Sequence, residues 1–459
     1  MNPNPPANPN RREFLKKTTL GAGLLAFPTV LRSADSKPNS RLNIAIIGVA
    51  GKGRSAIVGL AEENLVAFCD VDMRGVAEAR AEMEDLDGII TRAEAKGARW
   101  FRDYRVMLTE MDKEIDAVVI SIPDHMHYPV ALSALNMGKH VYCEKPLTHT
   151  VEEARLLTAA AARAGVVTQM GNQGHSNAGA RLVKEWIDAG VIGPVREVHS
   201  WTDRPLWPQG MEKPDHSKMI PVLPEELSWD LWLGVAEPRP YDPAYLPFSW
   251  RGWWDFGSGA FGDMACHIMD SPYWALQLDN PDWIEAACTP VTGWAAPKAS
   301  VVTYQYPARG KFPPLTYKWY DGGMLPPMPS GIREWPEMVS RNGTFIIGEE
   351  AVMVVDTYGQ TVRILPDGKF DALKPSLPPR TLRRIKGSHL QEWTNALREG
   401  RKAVSDFSYA GPFTEMVQLG NVALRAGQRI QYDGRNMRIT NLPGANRYLK
   451  KEYRPGWIL

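Results

Sequence analysis

The sequence predicts an α/β protein built of two units, and three observations predict it. At 459 residues the chain is too long for one average domain and long enough for two substantial cores. The stretch 41–70, "RLNIAIIGVAGKGRSAIVGLAEENLVAFCD", runs through an apolar strand, a glycine turn, a helical pattern, a second strand and an acid. That is the order of a doubly wound, dinucleotide-binding fold. From about Val166 the text changes to longer loops crowded with aromatic residues and prolines, which marks a second unit.

Composition narrows the function. Hydrophobic residues at 44% and charged residues at 23% fit a soluble globular chain. Lys and Arg number 53 against 52 Asp and Glu, so nothing in the charge points to nucleic acid or an anionic membrane. The 16 tryptophans and 37 prolines crowd between about Trp201 and Trp335, which suggests ordered loops with aromatic faces. Four cysteines, Cys69, Cys143, Cys266 and Cys288, show no paired spacing, so no metal is expected and no disulfide follows from spacing.

The N-terminus reads as an address. "NRREFLKKTTLGAGLLAFPTVLRSA" carries paired arginines, then Phe-Leu-Lys, then an apolar run from about Leu20 to Leu31, and so resembles a twin-arginine export signal. The run is well short of the ~20 residues a membrane span needs. Residues 1–34 are assigned to this segment and 35–40 to a linker; the expected destination is the periplasm.

In the first unit, 41–165, the run Leu42 to Ile47 is the apolar, β-branched text of a strand buried on both faces. Gly48 makes the tight turn, Gly53 lets helix and strand pack closely, and the helix starting near Arg54 turns its N-terminus to the pyrophosphate. Ala50 replaces the usual second glycine, with Gly51 beside it. Asp70 ends the second strand where an acid binds the adenosine ribose; its charge favours NAD, and Arg74 nearby leaves NADP open. The strand Ala117 to Ile122 leads into Pro123-Asp-His-Met-His127, and His125 and His127 there are expected to touch cofactor or substrate. The strand Lys139 to Cys143 ends in Glu144-Lys145-Pro146, where a lysine beside a nicotinamide can bind a reacting hydroxyl and a Lys-Pro bond permits cis geometry. Cofactor contacts are thus expected from Gly48, Ala50, Gly51, Gly53, Arg54, Asp70, Pro123, His127, Glu144 and Lys145.

In the second unit, 166–459, "VVTQMGNQGHSN" reads as a strand running into a polar loop, where Asn172, Gln173 and His175 offer hydrogen bonds to hydroxyl groups. "ARLVKEWIDAGVIGPV" reads as a helix ended by Gly190, and "REVHSW" as the first strand of a second sheet. Trp207, Trp229, Trp232, Trp250, Trp253 and Trp254 follow; flat rings beside polar groups suit pyranose faces, and Arg251 and Trp254 are the substrate candidates here. "GSGAFG", 257–262, matches a phosphate-binding glycine pattern, yet no apolar strand precedes it, so it reads as a loop. In "GDMACHIMD", Asp263 and His267 lie four apart and share one helix face: a proton-transfer pair, metal ligands or ordinary polar residues. Strands follow at Gly343 to Ile347 and Ala351 to Val355, then an amphipathic helix from Ser388. The tail "NRYLKKEYRPGWIL" is suited to docking on the body or on a neighbouring subunit.

Taken together, the GVAGKG turn, Asp70, Pro-Asp-His-x-His, "GKHVYCEKP", "WDLWLG" and "RGWWDFGSGAFGDMACHIMD" resemble the Gfo/Idh/MocA oxidoreductases, in particular an exported branch with twin-arginine signals. The resemblance implies an N-terminal Rossmann domain and a C-terminal α/β domain with an open, mainly antiparallel sheet, and a homo-oligomer. It also implies a sugar, polyol or glycoside substrate and a catalytic set of Lys145, Asp263 and His267. In that set His267 would take a hydroxyl proton, Lys145 would steady the oxyanion, and Asp263 would orient substrate or imidazole. Export from the nicotinamide pool leads to the further expectation that NAD is held tightly and recycled in place. Glycoside cleavage by oxidation and elimination, and sugar binding without catalysis, are the alternative readings.

Overall fold

The computed structural model describes residues 41–217, 219 and 221–457. The expected export signal, 1–34, lies outside them.

The first unit is a six-stranded parallel sheet of β1 (Asn43–Ile47), β2 (Asn64–Cys69), β3 (Arg99–Phe101), β4 (Ala117–Ile120), β5 (His140–Cys143) and β6 (Thr168–Met170), in the order β3-β2-β1-β4-β5-β6. β1 and β4 are neighbours on which the strand order reverses, so a crevice opens at their C-terminal ends. Gly48, Asp70, Pro123 and Lys145 all follow strand ends on that edge. The strands are buried throughout their middles, as both-face coverage by helices requires.

The second unit is a nine-stranded sheet. Its strands are β7 (Val195–Trp201), β8 (Trp283–Cys288), β9 (Ser300–Tyr306), β10 (Leu315–Tyr320), β11 (Gly343–Gly348), β12 (Val352–Asp356), β13 (Val362–Leu365), β14 (Ile430–Asp433) and β15 (Arg438–Ile439). The order is β13-β12-β11-β7-β10-β9-β8-β14-β15; β10 and β7 run parallel and the other pairs antiparallel. β9 alternates buried and half-buried residues along its whole length, the pattern of a sheet with one face on the core.

Two placements differ from the sequence reading. "VVTQM" is the sixth strand of the first sheet, so that sheet runs past the boundary at 165. The helix His389–Glu399 also returns to the first unit, where Trp393, Ala396 and Leu397 join the core formed by β1, β2 and β4. Arg398 pairs there with Glu63. A short tight strand and a late amphipathic helix carry no label of the sheet they join. No helix among the described residues is long and apolar enough to cross a membrane.

Candidate active site

The helix Gly259–Ile268 carries Asp263 and His267 and lies on the second sheet, with Phe261 edge-on to Trp319 at 5.1 Å and Thr344 Oγ1 donating to the carbonyl of Ile268. "GSGAFG" is the loop and first turn that start this helix. Its N-terminal half meets the loop after β5. Lys145 Nζ donates to Asp263 Oδ1 at 2.7 Å and to the Asp263 carbonyl at 2.8 Å, so the lysine and the aspartate named from sequence are in contact across the two units. The Lys145–Pro146 bond is cis.

Arg251 completes the group. Its Nε faces Asp263 Oδ1 at 3.3 Å, and its guanidinium lies over the rings of Phe248 (4.2 Å) and Trp250 (4.3 Å). Asp263 therefore serves two cations and does not orient His267. His267 is 7% exposed, with Tyr358 edge-on at 5.1 Å and its Nδ1 buried without a partner among the described residues.

These surroundings sort the charges. Burial alone would raise the Asp263 carboxyl, but Lys145 and Arg251 hold it at about 2. Burial works against the Lys145 ammonium, yet Asp263 outweighs it and raises the lysine above its ordinary value. His267 is pushed down to about 3, first by burial and then by the Lys145 charge. At neutral pH the site thus holds a fixed ammonium, a fixed carboxylate and a neutral imidazole.

Asp124, which sequence reasoning quoted only as part of Pro-Asp-His-x-His, belongs here as well. It is 5% exposed; burial pushes its carboxyl up to about 7 against the opposing pull of Lys145, Ser258 and Arg251. The signal was its place directly after a strand end on the ligand edge.

On the cofactor side, Gly48 has φ +84°, and a Cβ on Gly53 would lie 1.9 Å from the Gly48 carbonyl, so both glycines are needed as expected. A Cβ on Gly51 would meet nothing within 4 Å. Among the described residues the N–H groups of Gly51, Lys52 and Gly53 have no acceptor in the chain. An open turn of free N–H groups at a helix start fits a pyrophosphate. The Ala50 amide is instead turned inward: Asp70 Oδ2 accepts from Val49 at 2.8 Å and Ala50 at 3.3 Å, and burial raises the Asp70 carboxyl. Arg54 is occupied by the Ala50 carbonyl and by Glu82 at 2.6 Å. Pro123 is half-buried at the end of β4. Glu144 is 7% exposed against Gly171, where a Cβ would lie 2.5 Å from its Oε2.

Several expected contacts sit elsewhere. His127 is 1% exposed, with Nδ1 2.7 Å from the Pro146 carbonyl and Nε2 2.8 Å from that of Ile122. Burial pushes the ring down to about 4, so it is neutral with one N–H to give: it ties the β4 and β5 loops through one of these carbonyls while the other closes it off. His125 is likewise buried, against the Trp232 carbonyl at 3.1 Å.

Asn172 and His175 meet inside the protein at Asp270, which is 1% exposed. Asn172 Nδ2 donates to it at 3.1 Å, His175 Nδ1 at 2.9 Å and Tyr409 at 2.6 Å, while Ser405 donates to Asn172 Oδ1 at 2.6 Å. These groups satisfy one another, as a buried polar cluster must. Gln173 stays half-buried at the start of a short helical turn.

Trp229, Trp232 and Trp253 form a core cluster with Tyr245 and Phe256, the first two stacked at 4.9 Å. Trp254 lines a cavity of about 160 Å³ with Arg425 and Tyr448, a space lined by none of Lys145, Asp263 and His267. Among the described residues no three His, Cys, Asp or Glu side chains gather as a metal site.

A parallel sheet of the dinucleotide-binding kind, its open glycine turn and a charged cluster shared with a second, mostly antiparallel sheet define a two-domain, Rossmann-type α/β protein. Residues 42–172 match the NAD-binding Rossmann fold of an oxidoreductase family, and 177–311 match its C-terminal α/β domain, together more than half of the sequence. The chain belongs to the Gfo/Idh/MocA family.

A levoglucosan dehydrogenase of Pseudarthrobacter phenanthrenivorans is 28% identical over 173 residues, 37% of this chain and 34% of that enzyme. An inositol 2-dehydrogenase of Salmonella typhimurium is 29% identical over 163 residues, 34% of this chain and 45% of that one. The matched stretches thus span less than half of these relatives. Among solved structures, the WlbA dehydrogenase of Bordetella pertussis, in complex with NADH and UDP-GlcNAcA, superposes over 87% of this chain and 99% of its own with a TM-score of 0.57 at 18% identity. Levoglucosan dehydrogenase with NADH and levoglucosan covers 85% of this chain and 99% of its own, with a TM-score of 0.55 at 16% identity. These structures share the fold.

Proposed function

We propose that the protein is an exported oxidoreductase that moves a hydride between a hydroxyl-bearing carbon of a sugar, polyol or glycoside and tightly held NAD. The observation that carries the reading is the contact of Lys145 with Asp263 beside a neutral His267, on the edge where the glycine turn opens. Two groups of one site with opposite protonation preferences have separate tasks. His267 takes the hydroxyl proton on Nε2, since Nδ1 is buried. The Lys145 ammonium, fixed by Asp263, stabilises the oxyanion left behind. Arg251, with its aromatic neighbours, binds a further substrate oxygen. Gly51, Lys52 and Gly53 hold the pyrophosphate, and Asp70 the ribose. Bound NAD supplies the acceptor for the hydride.

The relatives' activities on sugars and a cyclic polyol support the substrate class. The paired arginines before the apolar run support twin-arginine export to the periplasm, a route that suits a folded protein already loaded with its cofactor. A homo-oligomer built on the second sheet belongs to the same reading.

The test is to purify the exported protein without nucleotide, denature it, and identify released nicotinamide by mass spectrometry. Stoichiometric NAD or NADH is expected, and Lys145→Met should retain it while sugar turnover falls by ~10²-fold or more. A nucleotide-free protein, or turnover that survives Lys145→Met, would refute the reading. Glycoside cleavage with no net change in NAD would identify the elimination route.

A further inference from the structure

The tail of the chain lies across the first unit and the helix Trp229–Leu233 beside it. Tyr453 donates to Glu153 Oε1 at 2.6 Å, Arg454 binds Asp230 at 2.6 Å, and the Arg105 guanidinium covers the Trp457 ring at 4.1 Å. Lys451 reaches furthest in. Its ammonium donates to the His125 carbonyl and to His149 Nδ1, both at 3.1 Å, and faces Glu153 Oε1 at 3.1 Å. Three donors thereby find three acceptors.

Each acceptor belongs to a segment that bears the site. His125 lies in the loop that brings Pro123 and Asp124 to the ligand edge. His149 closes the loop that begins with Lys145. Glu153 Oε2 accepts from Thr150 at 3.0 Å and His149 at 3.1 Å, and so starts the next helix, Val151–Ala164. Because Lys451 donates to Nδ1, the His149 proton sits on Nε2. From there it is donated to the Gly257 carbonyl at 3.2 Å, at the head of the glycine loop that opens the helix of Asp263 and His267. A single ammonium joins the segments that carry Asp124, Lys145 and Asp263.

We propose that Lys451 is a positioning residue: acting through His149, it sets the spacing between the Lys145 loop and the helix bearing Asp263 and His267. The inference rests on the proposed oxidoreductase reading for its activity readout alone. A strap that only fastened the tail would have no use for an ammonium in a place where burial opposes its charge, with Glu153 opposing that effect. The groups facing His149 are Lys451, His125 and Arg425, with Glu153 at its backbone N–H. Burial and the Lys451 charge keep the ring neutral.

The test compares Lys451→Met, Lys451→Arg, His149→Gln and the Met/Gln double variant. It measures turnover of a sugar that the native protein oxidises, NADH affinity by fluorescence, and the ¹⁵N titration of His149. Lys451→Met should lower kcat about tenfold while KM and NADH affinity stay within about twofold. His149→Gln should cost the same, the double variant no more than either alone, and Lys451→Arg should restore most of the rate. In Lys451→Met, His149 should titrate at a higher pH than in the native protein. Parallel losses of kcat, NADH affinity and melting temperature, or additive losses in the double variant, overturn the proposal in favour of plain structural support. If the native protein turns over no sugar or polyol, the oxidoreductase reading fails and the His149 titration decides: a shift in Lys451→Met upholds the positioning role, and no shift overturns it.

Discussion

Lys145 and His267 share one aspartate's neighbourhood, yet one is held charged and the other neutral. Histidine is commonly chosen for proton transfer because its ordinary pKa, near 6.5, lies close to physiological pH. Here burial and the lysine charge move His267 to about 3, so it is an unprotonated base over the whole neutral range. The expected pH profile of kcat/KM, measured from pH 4 to 9 on the NAD-loaded protein, carries no His267 ionisation near 6.5; Asp124, at about 7, is the group of the site that titrates there, and Asp124→Asn should leave the neutral range flat. A limb near 6.5 that persists in Asp124→Asn would show that His267 is hydrated rather than enclosed. At this scale the sequence was informative where geometry is local: four-residue spacing puts Asp263 and His267 on one helix face wherever the helix lies. It misled for Asn172, His175 and His127. A polar residue after a strand looks the same whether its N–H groups meet a ligand or, as here, Asp270 and backbone carbonyls.

The glycine turn shows how an element divides its labour. Gly53 is packed against the Gly48 carbonyl, whereas Gly51 faces open space. Gly53→Ala is expected to destabilise the fold by about 1–3 kcal/mol through the forced shift of the turn, and to weaken NADH binding with it. Gly51→Ala should leave melting temperature nearly unchanged, within about 0.5 kcal/mol, and change only NADH affinity. Thermal melts and NADH titrations of the two variants separate these outcomes; equal losses of stability would contradict the assignment. β1, β2, β4 and β5 were legible because buried parallel strands are continuous apolar runs. β3 was not: Arg99–Phe101 is a three-residue edge strand without buried residues.

Across the whole molecule, seven of the nine histidines are pushed below their ordinary value, chiefly by burial. A group neutral in the fold and protonatable once unfolded makes the unfolded chain bind more protons below pH ~6.5. Stability therefore falls as pH drops from about 6.5 toward the folded values of about 3 to 4, by up to ~1.4 kcal/mol per pH unit for each such histidine. Four buried carboxyls shifted upward, Asp70, Asp124, Glu144 and Asp321, act in the opposite sense, but the histidines outnumber them. Melting temperature is expected to decline steadily from pH 6.5 to 4; a flat profile over that window would show that these rings are solvated. That a second sheet follows the first was legible in the change of text after the first unit, but not its place, since the first sheet runs on through Met170. The return of a late helix to the first sheet was not legible, because amphipathicity says that a face is covered and never by what.

That return, with Trp393 and Leu397 closing the face of β1, β2 and β4, has a consequence for how the chain is made. The ribosome delivers the nucleotide fold and most of its helical cover first, but the last piece of that cover only at residues 389–399, so part of an apolar sheet face waits through most of synthesis. The nucleotide-binding unit therefore reaches its finished core only once residues far along the chain have been made.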